Sequence, residues 1–78
     1  MWFVYILKCN NGDYYKGCTN DLNKRLAKHQ HGKVESTCEN LPVEMVSYIA
    51  FTDKNKAFKF EKYLKSGSGR AFLKKRLV

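Results

Sequence analysis

Five side chains of this sequence have the types and spacing that chemistry on a phosphate group requires. Arg25 and His29 lie four residues apart in a predicted helix and therefore share one helical face. Tyr5 and Tyr15 flank an Asn-Gly turn, and Glu61 borders the apolar stripe of a later predicted helix. A guanidinium can bind phosphate, a phenol or imidazole can move a proton, and one carboxylate can hold Mg²⁺. This set of side chains suits phosphodiester hydrolysis.

Each of these side chains also has a simpler structural explanation. Tyr5 could be a core tyrosine with one hydrogen-bond partner, and His29 could be a surface or capping residue. Arg25 could belong to a solvated helix face, and Glu61 could form an exposed pair with Lys65 at i, i+4. A phenol with an ordinary pKa of about 10 is also a poor base at neutral pH. The hypothesis therefore depends on the fold bringing the set together.

Two strands joined by a tight turn are predicted to carry the tyrosines. Trp2–Cys9 is apolar on both faces, which is typical of the central strand of a covered sheet. Asn10–Asp13 favours a hairpin turn, and Asp13–Gly17 returns as the second strand. In this register Tyr5 and Tyr15 are not directly opposite, although they could line one face. Gly17 marks a point where another group can approach the backbone closely.

The predicted helix that carries Arg25 and His29 spans residues 20–30. Asn20 or Asp21 can cap its first turn, and Leu22 and Leu26 form the stripe that faces the core. The polar segment that follows, His31–Leu41, is expected to be a mobile surface loop.

The rest of the chain predicts one more strand and two helices. Val43–Phe51 is β-branched and aromatic, and Thr52 or Asp53 can cap the helix that contains Glu61. Ser66–Gly69 is expected to end that helix, and Arg70–Val78 to form a final one. The order is ββαβαα. We expect an α+β domain over residues 1–78, with a three-stranded antiparallel sheet in the order 2-1-3 flanked by helices.

Charge and cysteine usage narrow the class of partner. The net charge of +8 favours a polyanionic partner, of which nucleic acid is the commonest. No segment approaches the length of a membrane span, and no helix pairs a basic face with a large apolar one. The three cysteines are widely spaced and no Cys-x-x-Cys pair exists, so a zinc site is not expected. Without a secretion signal, reduced thiols in a cytoplasm are the simplest expectation.

Four ordered motifs resemble the GIY-YIG nuclease superfamily, in particular its small stand-alone bacterial members. Residues 3–5, Phe-Val-Tyr, stand where Gly-Ile-Tyr belongs, and residues 15–17, Tyr-Lys-Gly, stand for Tyr-Ile-Gly. Residues 20–29 match the first helix of the family, and residues 60–65 match its metal-binding helix. The resemblance covers nearly the whole chain and extends to the N-terminal nuclease domain of the bacterial excision-repair endonuclease.

The resemblance implies a role for each of the five side chains. Tyr5 would activate the attacking water, with His29 as a proton relay. Tyr15 would orient the water or the scissile phosphate, and Arg25 would bind that phosphate. Glu61 would be the one protein ligand of a divalent metal, Mg²⁺ or Mn²⁺. The implied fold places all five on one concave face.

The sequence departs from the family pattern at three places. Phe3 replaces the glycine of the first motif, and Cys18 stands where some members carry a catalytic lysine. Many members have an asparagine after the metal glutamate, whereas no asparagine follows Glu61 and Leu73 falls near that position. Nearby side chains that could substitute for it are Ser66, Ser68 and Arg70.

The resemblance therefore implies a divalent-metal-dependent endonuclease that hydrolyses DNA, with a role in DNA repair or processing. One alternative is a nucleic-acid-binding module with weak or no cleavage. The other is a component of a larger complex whose activity requires a protein partner that recognises the target, with residues 67–78 as its docking surface. Salt-sensitive binding without metal-dependent cleavage would indicate the module, and cleavage only with a partner would indicate the complex.

Overall fold

The computed structural model describes residues 1–78, which form three strands and three helices in the order ββαβαα. The strands are β1 (Trp2–Lys8), β2 (Tyr14–Thr19) and β3 (Glu44–Phe51). The helices are α1 (Leu22–Gln30), α2 (Lys54–Leu64) and α3 (Gly67–Arg76). The predicted element order and the α+β class are confirmed.

The three strands form one antiparallel sheet in the order β2-β1-β3, as the sequence predicted. Within the β1–β2 pair, Tyr5 lies opposite Gly17 and Leu7 lies opposite Tyr15. The two tyrosines are therefore offset by one same-face step along the sheet. Because β2 is an edge strand, groups from both sides of the sheet can meet along it.

The central strand β1 is covered on both faces, as its apolar pattern predicted. Val4 and Ile6 pack against Leu64 and other residues of α2 and α3 on one face. Tyr5 and Leu7 form a second cluster on the opposite face, next to the leucines of α1. Strict alternation along the strand thus separates an α2–α3 layer from an α1 layer.

Aspartates cap the first two helices. The Asp21 side chain accepts a hydrogen bond from the Lys24 amide, and that of Asp53 accepts one from the Asn55 amide. These carboxylates satisfy donors that the first turn leaves free. Of the two capping candidates considered for each helix, the aspartate is the one that caps.

The start of α3 differs from the prediction, which placed it at Arg70. The helix begins at Gly67 with Ser66 as its cap, and the Ser66 hydroxyl accepts a hydrogen bond from the Gly69 amide. A Cβ at Gly69 would collide with the carbonyl of Tyr63. The glycines that were expected to form a linker are helical because Gly69 allows α3 to pack closely against the end of α2.

The segment from His31 to Leu41 is also more ordered than predicted. It folds into hydrogen-bonded turns, in which Val34 accepts bonds from the amides of Thr37 and Cys38. Thr37 is fully buried, so the segment is not simply a surface loop. None of the helices has the length and apolar character needed to cross a membrane.

Candidate active site

A chain of three hydrogen-bonded side chains lies buried between β1, α1 and the loop that follows α1. The Tyr5 hydroxyl is 2.9 Å from Nε2 of His29, and Nδ1 of the same ring is 2.8 Å from the Thr37 hydroxyl. All three side chains are 1% exposed or less. Both nitrogens of the His29 ring are thus occupied by hydroxyl groups, and the ring cannot rotate without losing one of them.

Arg25 and Tyr15 complete this cluster from its more accessible side. Nε of Arg25 donates a hydrogen bond to the Tyr5 hydroxyl at 3.3 Å. The Tyr15 ring lies 4.9 Å from the His29 ring and 6.2 Å from the Tyr5 ring, centroid to centroid. The structure therefore brings together Tyr5, Tyr15, Arg25 and His29, as the sequence predicted.

Gly17 leaves the space that the Tyr5 ring occupies. A Cβ built on Gly17 would collide with the hydroxyl end of the Tyr5 ring, across the β1–β2 pair. The close approach predicted at this glycine is therefore real, and the approaching group is Tyr5. Any side chain at this position would have to displace the phenol from His29.

The electrostatic environment keeps both members of the Tyr5–His29 pair neutral at neutral pH. Burial raises the pKa of Tyr5 to about 12, although the hydrogen bond from Arg25 acts in the opposite direction. Burial lowers the pKa of His29 to about 4, and the Arg25 charge lowers it further. The same hydrogen bond to Tyr5 raises the pKa of Arg25, so this guanidinium remains charged. The cluster thus pairs a fixed cation with a neutral phenol and a neutral imidazole.

A polar depression of about 150 Å³ opens beside Arg25 at the start of α1. Its cationic members are Arg25, Lys24 and Lys28, and Asp21 is its acidic member. No apolar residue lines it. A depression with this balance of charge suits an anion such as a phosphate group.

Glu61 lies apart from this cluster, on the other side of the sheet. It belongs to α2, whose buried residues pack against the face of β1 opposite to Tyr5. Its carboxylate forms an ion pair with Lys65 at 2.6 Å, and its side chain is 15% exposed. The single concave face that the resemblance implied is therefore not one face of the sheet, because α1 and α2 cover opposite faces.

The edge strand β2 connects the two sides. Its residues alternate, so Tyr15 packs with the Tyr5 cluster and Cys18 packs with the α2–α3 layer. Burial raises the pKa of the Cys18 thiol, and the nearby Glu61 charge raises it further. A ligand bound over the β2 edge could therefore touch the Arg25 side and the Glu61 side together.

The donor set around Glu61 fits a weakly held hard cation rather than a permanently bound metal. No group of three or more His, Cys, Asp or Glu side chains converges anywhere in the chain. Mg²⁺ is commonly held by one or two carboxylates, with waters and substrate oxygens completing the shell. A single carboxylate with a lysine already at its side matches that pattern only when a substrate supplies the remaining oxygens.

The structure also separates the candidates for the missing asparagine. Leu73 is 3% exposed and belongs to the core, so it provides no polar group. The Ser66 hydroxyl is already used, since it donates to the Tyr63 carbonyl and accepts from the Gly69 amide. Arg70 is exposed and lines an open groove beside β2.

Sequence reasoning did not find Thr37. It is one polar residue in a polar loop, and no motif or spacing connects it to His29 eight positions earlier. Only its complete burial and its bond to Nδ1 identify it as part of the site. Lys24 was also overlooked, although it lies one turn from Lys28 on the same helix.

Comparison with known proteins gives an independent measure of this arrangement. A family model described as "GIY-YIG catalytic domain" matches residues 1–76. A UPF0213 protein of Staphylococcus epidermidis is 43% identical over 65 residues, covering 82% of this chain and 79% of that protein. The UPF0213 protein YazA of Bacillus subtilis is 39% identical over 64 residues, covering 81% of this chain and 65% of YazA.

A solved structure shares the fold as well as the sequence. The solution NMR structure of the UPF0213 protein BH0048 from Bacillus halodurans is similar to this chain with a TM-score of 0.59. The two sequences are 35% identical, and the match covers 94% of this chain and 82% of that one.

Proposed function

This chain belongs to the GIY-YIG family, and we propose that it is a divalent-metal-dependent endonuclease that hydrolyses phosphodiester bonds in DNA. The observation that carries the proposal is the buried hydrogen-bonded chain from Thr37 through His29 to Tyr5, with Arg25 on the Tyr5 hydroxyl. Such a chain positions a proton acceptor beside a phosphate-binding cation, which is what hydrolysis of a phosphodiester needs.

Arg25 has the first role, the binding of the scissile phosphate. Nε of its guanidinium is fixed on Tyr5, and the same side chain lines the polar depression. Its remaining N–H groups can donate to two phosphate oxygens in a planar geometry that lysine cannot offer. Tyr15, beside the two rings on the edge strand, is placed to orient the phosphate or the attacking water.

Tyr5 and His29 together move the proton of the attacking water. A phenol with a pKa of about 12 is protonated at neutral pH, so Tyr5 must release its own proton as it accepts one. Nε2 of His29, at 2.9 Å, is the nearest acceptor. A phosphate bound to Arg25 would offset the positive charge that helps to depress the pKa of His29. Substrate binding would therefore make His29 a better proton acceptor.

Thr37 is a positioning residue in this proposal. If Nε2 is to accept the Tyr5 proton, the neutral ring must carry its proton on Nδ1. The Thr37 hydroxyl, 2.8 Å from Nδ1, can accept that proton in a hydrogen bond and so favours the required tautomer. This arrangement resembles the way in which a buried acceptor orients a catalytic imidazole in other hydrolases.

Glu61 is the residue that would hold Mg²⁺ or Mn²⁺, after it releases Lys65. When bound, the ion supplies neutralisation of the phosphate charge and stabilisation of the leaving oxygen. The other residues of the site bind the phosphate and move the proton.

A nicking assay tests the proposal. Supercoiled, flapped and branched DNA would be incubated at low salt with Mg²⁺ or Mn²⁺, using wild-type protein, Tyr5→Phe and Glu61→Ala. We expect cleavage by the wild-type protein, and a loss of about 100-fold or more in each variant. His31→Gln is the matched control for histidine chemistry, because His31 is exposed and outside the cluster.

The outcomes separate the alternatives. Cleavage by the wild-type protein that both variants retain would overturn the assignment of these residues. No cleavage of any substrate, with salt-sensitive binding intact, would indicate the binding module instead, a function that the single unsupported carboxylate also favours. Cleavage that requires a cell extract would indicate a protein partner. The proposal further takes residues 1–78 as one domain and the cytoplasm as its compartment.

A further inference from the structure

An open groove of about 820 Å³ separates the β1–β2 hairpin from α3, outside the Tyr5 cluster. Three cationic side chains line it, and one acidic side chain faces them. They are Lys16, Arg70, Lys74 and, as the acid, Asp13. Tyr14 adds an aromatic surface to the same wall. The groove has no part in the proton chemistry proposed above.

The cations of this groove are close to one another without matching acids. Lys16 is partly buried between charged neighbours, and its pKa is lowered first by burial and then by the charges of Arg70 and Lys65. Lys65 already pairs with Glu61, which leaves Lys16 and Arg70 without a carboxylate partner within ion-pair distance. Partly buried like charges that repel one another lower stability, and an anionic ligand would relieve the repulsion.

The position of the groove relative to the candidate active site indicates which anion it takes. Lys16 follows Tyr15 on the edge strand β2 and shares with Cys18 the face that packs toward α2 and α3. The features along this edge are therefore ordered from the Glu61 side, near Cys18, to Lys16 and Arg70, and then to Tyr14 at the hairpin. A ligand with phosphates at regular intervals could engage Arg25 or Glu61 at one point and the groove at another.

We propose that this groove binds the phosphodiester backbone of the DNA strand on one side of the scissile phosphate, through Lys16 and Arg70. The inference rests on the proposed function for its choice of ligand, but it concerns binding and not cleavage. It gives Arg70 a phosphate contact outside the Tyr5 cluster. It also explains why a small domain would place its exposed α3 cations beside the hairpin rather than distribute them evenly.

The test is DNA binding without metal, so that it does not depend on catalysis. Fluorescence anisotropy with a labelled flap substrate in EDTA would give the affinity at several salt concentrations for the wild-type protein and Lys16→Gln/Arg70→Gln. Loss of two phosphate contacts should weaken binding about tenfold or more at low salt. It should also reduce the slope of log K against log salt by about 1.4 to 1.8. Lys56→Gln/Lys59→Gln removes the same charge from exposed positions outside the groove and is the matched control.

A second measurement removes the dependence on substitution. In an amide NMR titration of the wild-type protein with the same DNA in EDTA, the signals of Gly12, Lys16, Arg70 and Ala71 should shift at low ratios of DNA. Unchanged shifts there, or an equal loss of affinity in the control pair, would overturn the groove.

The nicking assay, run on the same proteins, keeps the two proposals distinguishable. Cleavage with a normal salt slope in Lys16→Gln/Arg70→Gln would reject the groove and leave the nuclease in place. A changed slope with no cleavage by the wild-type protein would support the groove and reject the nuclease. Absence of DNA binding by the wild-type protein at low salt would reject the groove, whatever the cleavage result.

Discussion

The Tyr5 ring lies against the backbone of Gly17, its partner across the β1–β2 pair, with no room for a Cβ between them. The phenol is held there by His29 and Arg25, so it cannot move away from the strand without breaking both hydrogen bonds. One missing methyl group on β2 thus determines where the candidate proton acceptor lies. The relation connects the first and second sequence motifs directly.

Substitution of Gly17 by alanine should therefore impair both stability and activity. We expect the free energy of unfolding to fall by about 1 to 3 kcal/mol, because the added methyl group overpacks a site that cannot relax. Displacement of the phenol from His29 should reduce cleavage as well. Chemical denaturation and the nicking assay measure the two effects. Gly67→Ala is the control, since nothing lies near its Cβ position, and a Gly17→Ala protein as stable and active as this control would contradict the prediction.

The buried imidazole should make stability depend on pH in the acidic range. The pKa of His29 is about 4 in the folded protein, below the ordinary 6.5 that applies to the unfolded chain. Between these values the unfolded chain binds a proton that the folded protein excludes, so stability falls as the pH falls from about 6.5 to 4. The full difference is on the order of 3 kcal/mol.

Comparison with His29→Gln isolates this effect from that of the carboxylates. Denaturant titrations of both proteins at several pH values should show a steeper loss of stability in the wild-type protein over that range. Parallel curves would show that His29 titrates normally and would count against the buried neutral ring. His31→Gln should behave like the wild-type protein, because His31 is exposed.

Thr37 should prove necessary although no motif includes it. Thr37→Val keeps the shape of the side chain but leaves Nδ1 of His29 buried without a partner, at a cost of about 1 to 3 kcal/mol. Thr37→Ser retains the hydroxyl and should restore both stability and cleavage.

Nitrogen NMR of the His29 ring distinguishes a positioning role from a purely structural one. We expect the proton on Nδ1 in the wild-type protein and in Thr37→Ser, and a mixture of tautomers in Thr37→Val. A wild-type ring with its proton on Nε2 would overturn the proposed direction of proton transfer.

Removal of the Glu61 carboxylate should abolish metal-dependent cleavage with little effect on stability. Its pairing with Lys65 is on the helix surface, and such pairs contribute at most about 1 kcal/mol. We expect Glu61→Gln, which keeps the size of the side chain, to lose cleavage about 100-fold. Lys65→Ala should retain cleavage, because the lysine competes with the cation for the same carboxylate. Equal cleavage by wild-type protein and Glu61→Gln at every Mg²⁺ concentration would reject the metal site.

Much of the fold follows from local patterns. The two-sided apolar run of β1, the Asn-Gly turn and the capping aspartates each specify their element without reference to the rest of the chain. Strand order follows as well, because the helix between the second and third strands returns the chain across the sheet. The beginning of α3 was missed because glycine has a low intrinsic preference for helix, whereas close packing of Gly69 against Tyr63 overrides that preference.

The sequence by itself determined the residue types of the site and the four of them that meet around Tyr5, since strand alternation and helical periodicity are local rules. Only the tertiary structure decided the burial that sets the pKa values of Tyr5 and His29. It also decided the recruitment of Thr37 and the position of Glu61 on the other side of the sheet. The reason is physical, because desolvation and the pairing of distant hydroxyls with one imidazole depend on which elements pack together. No spacing within a single element encodes that packing.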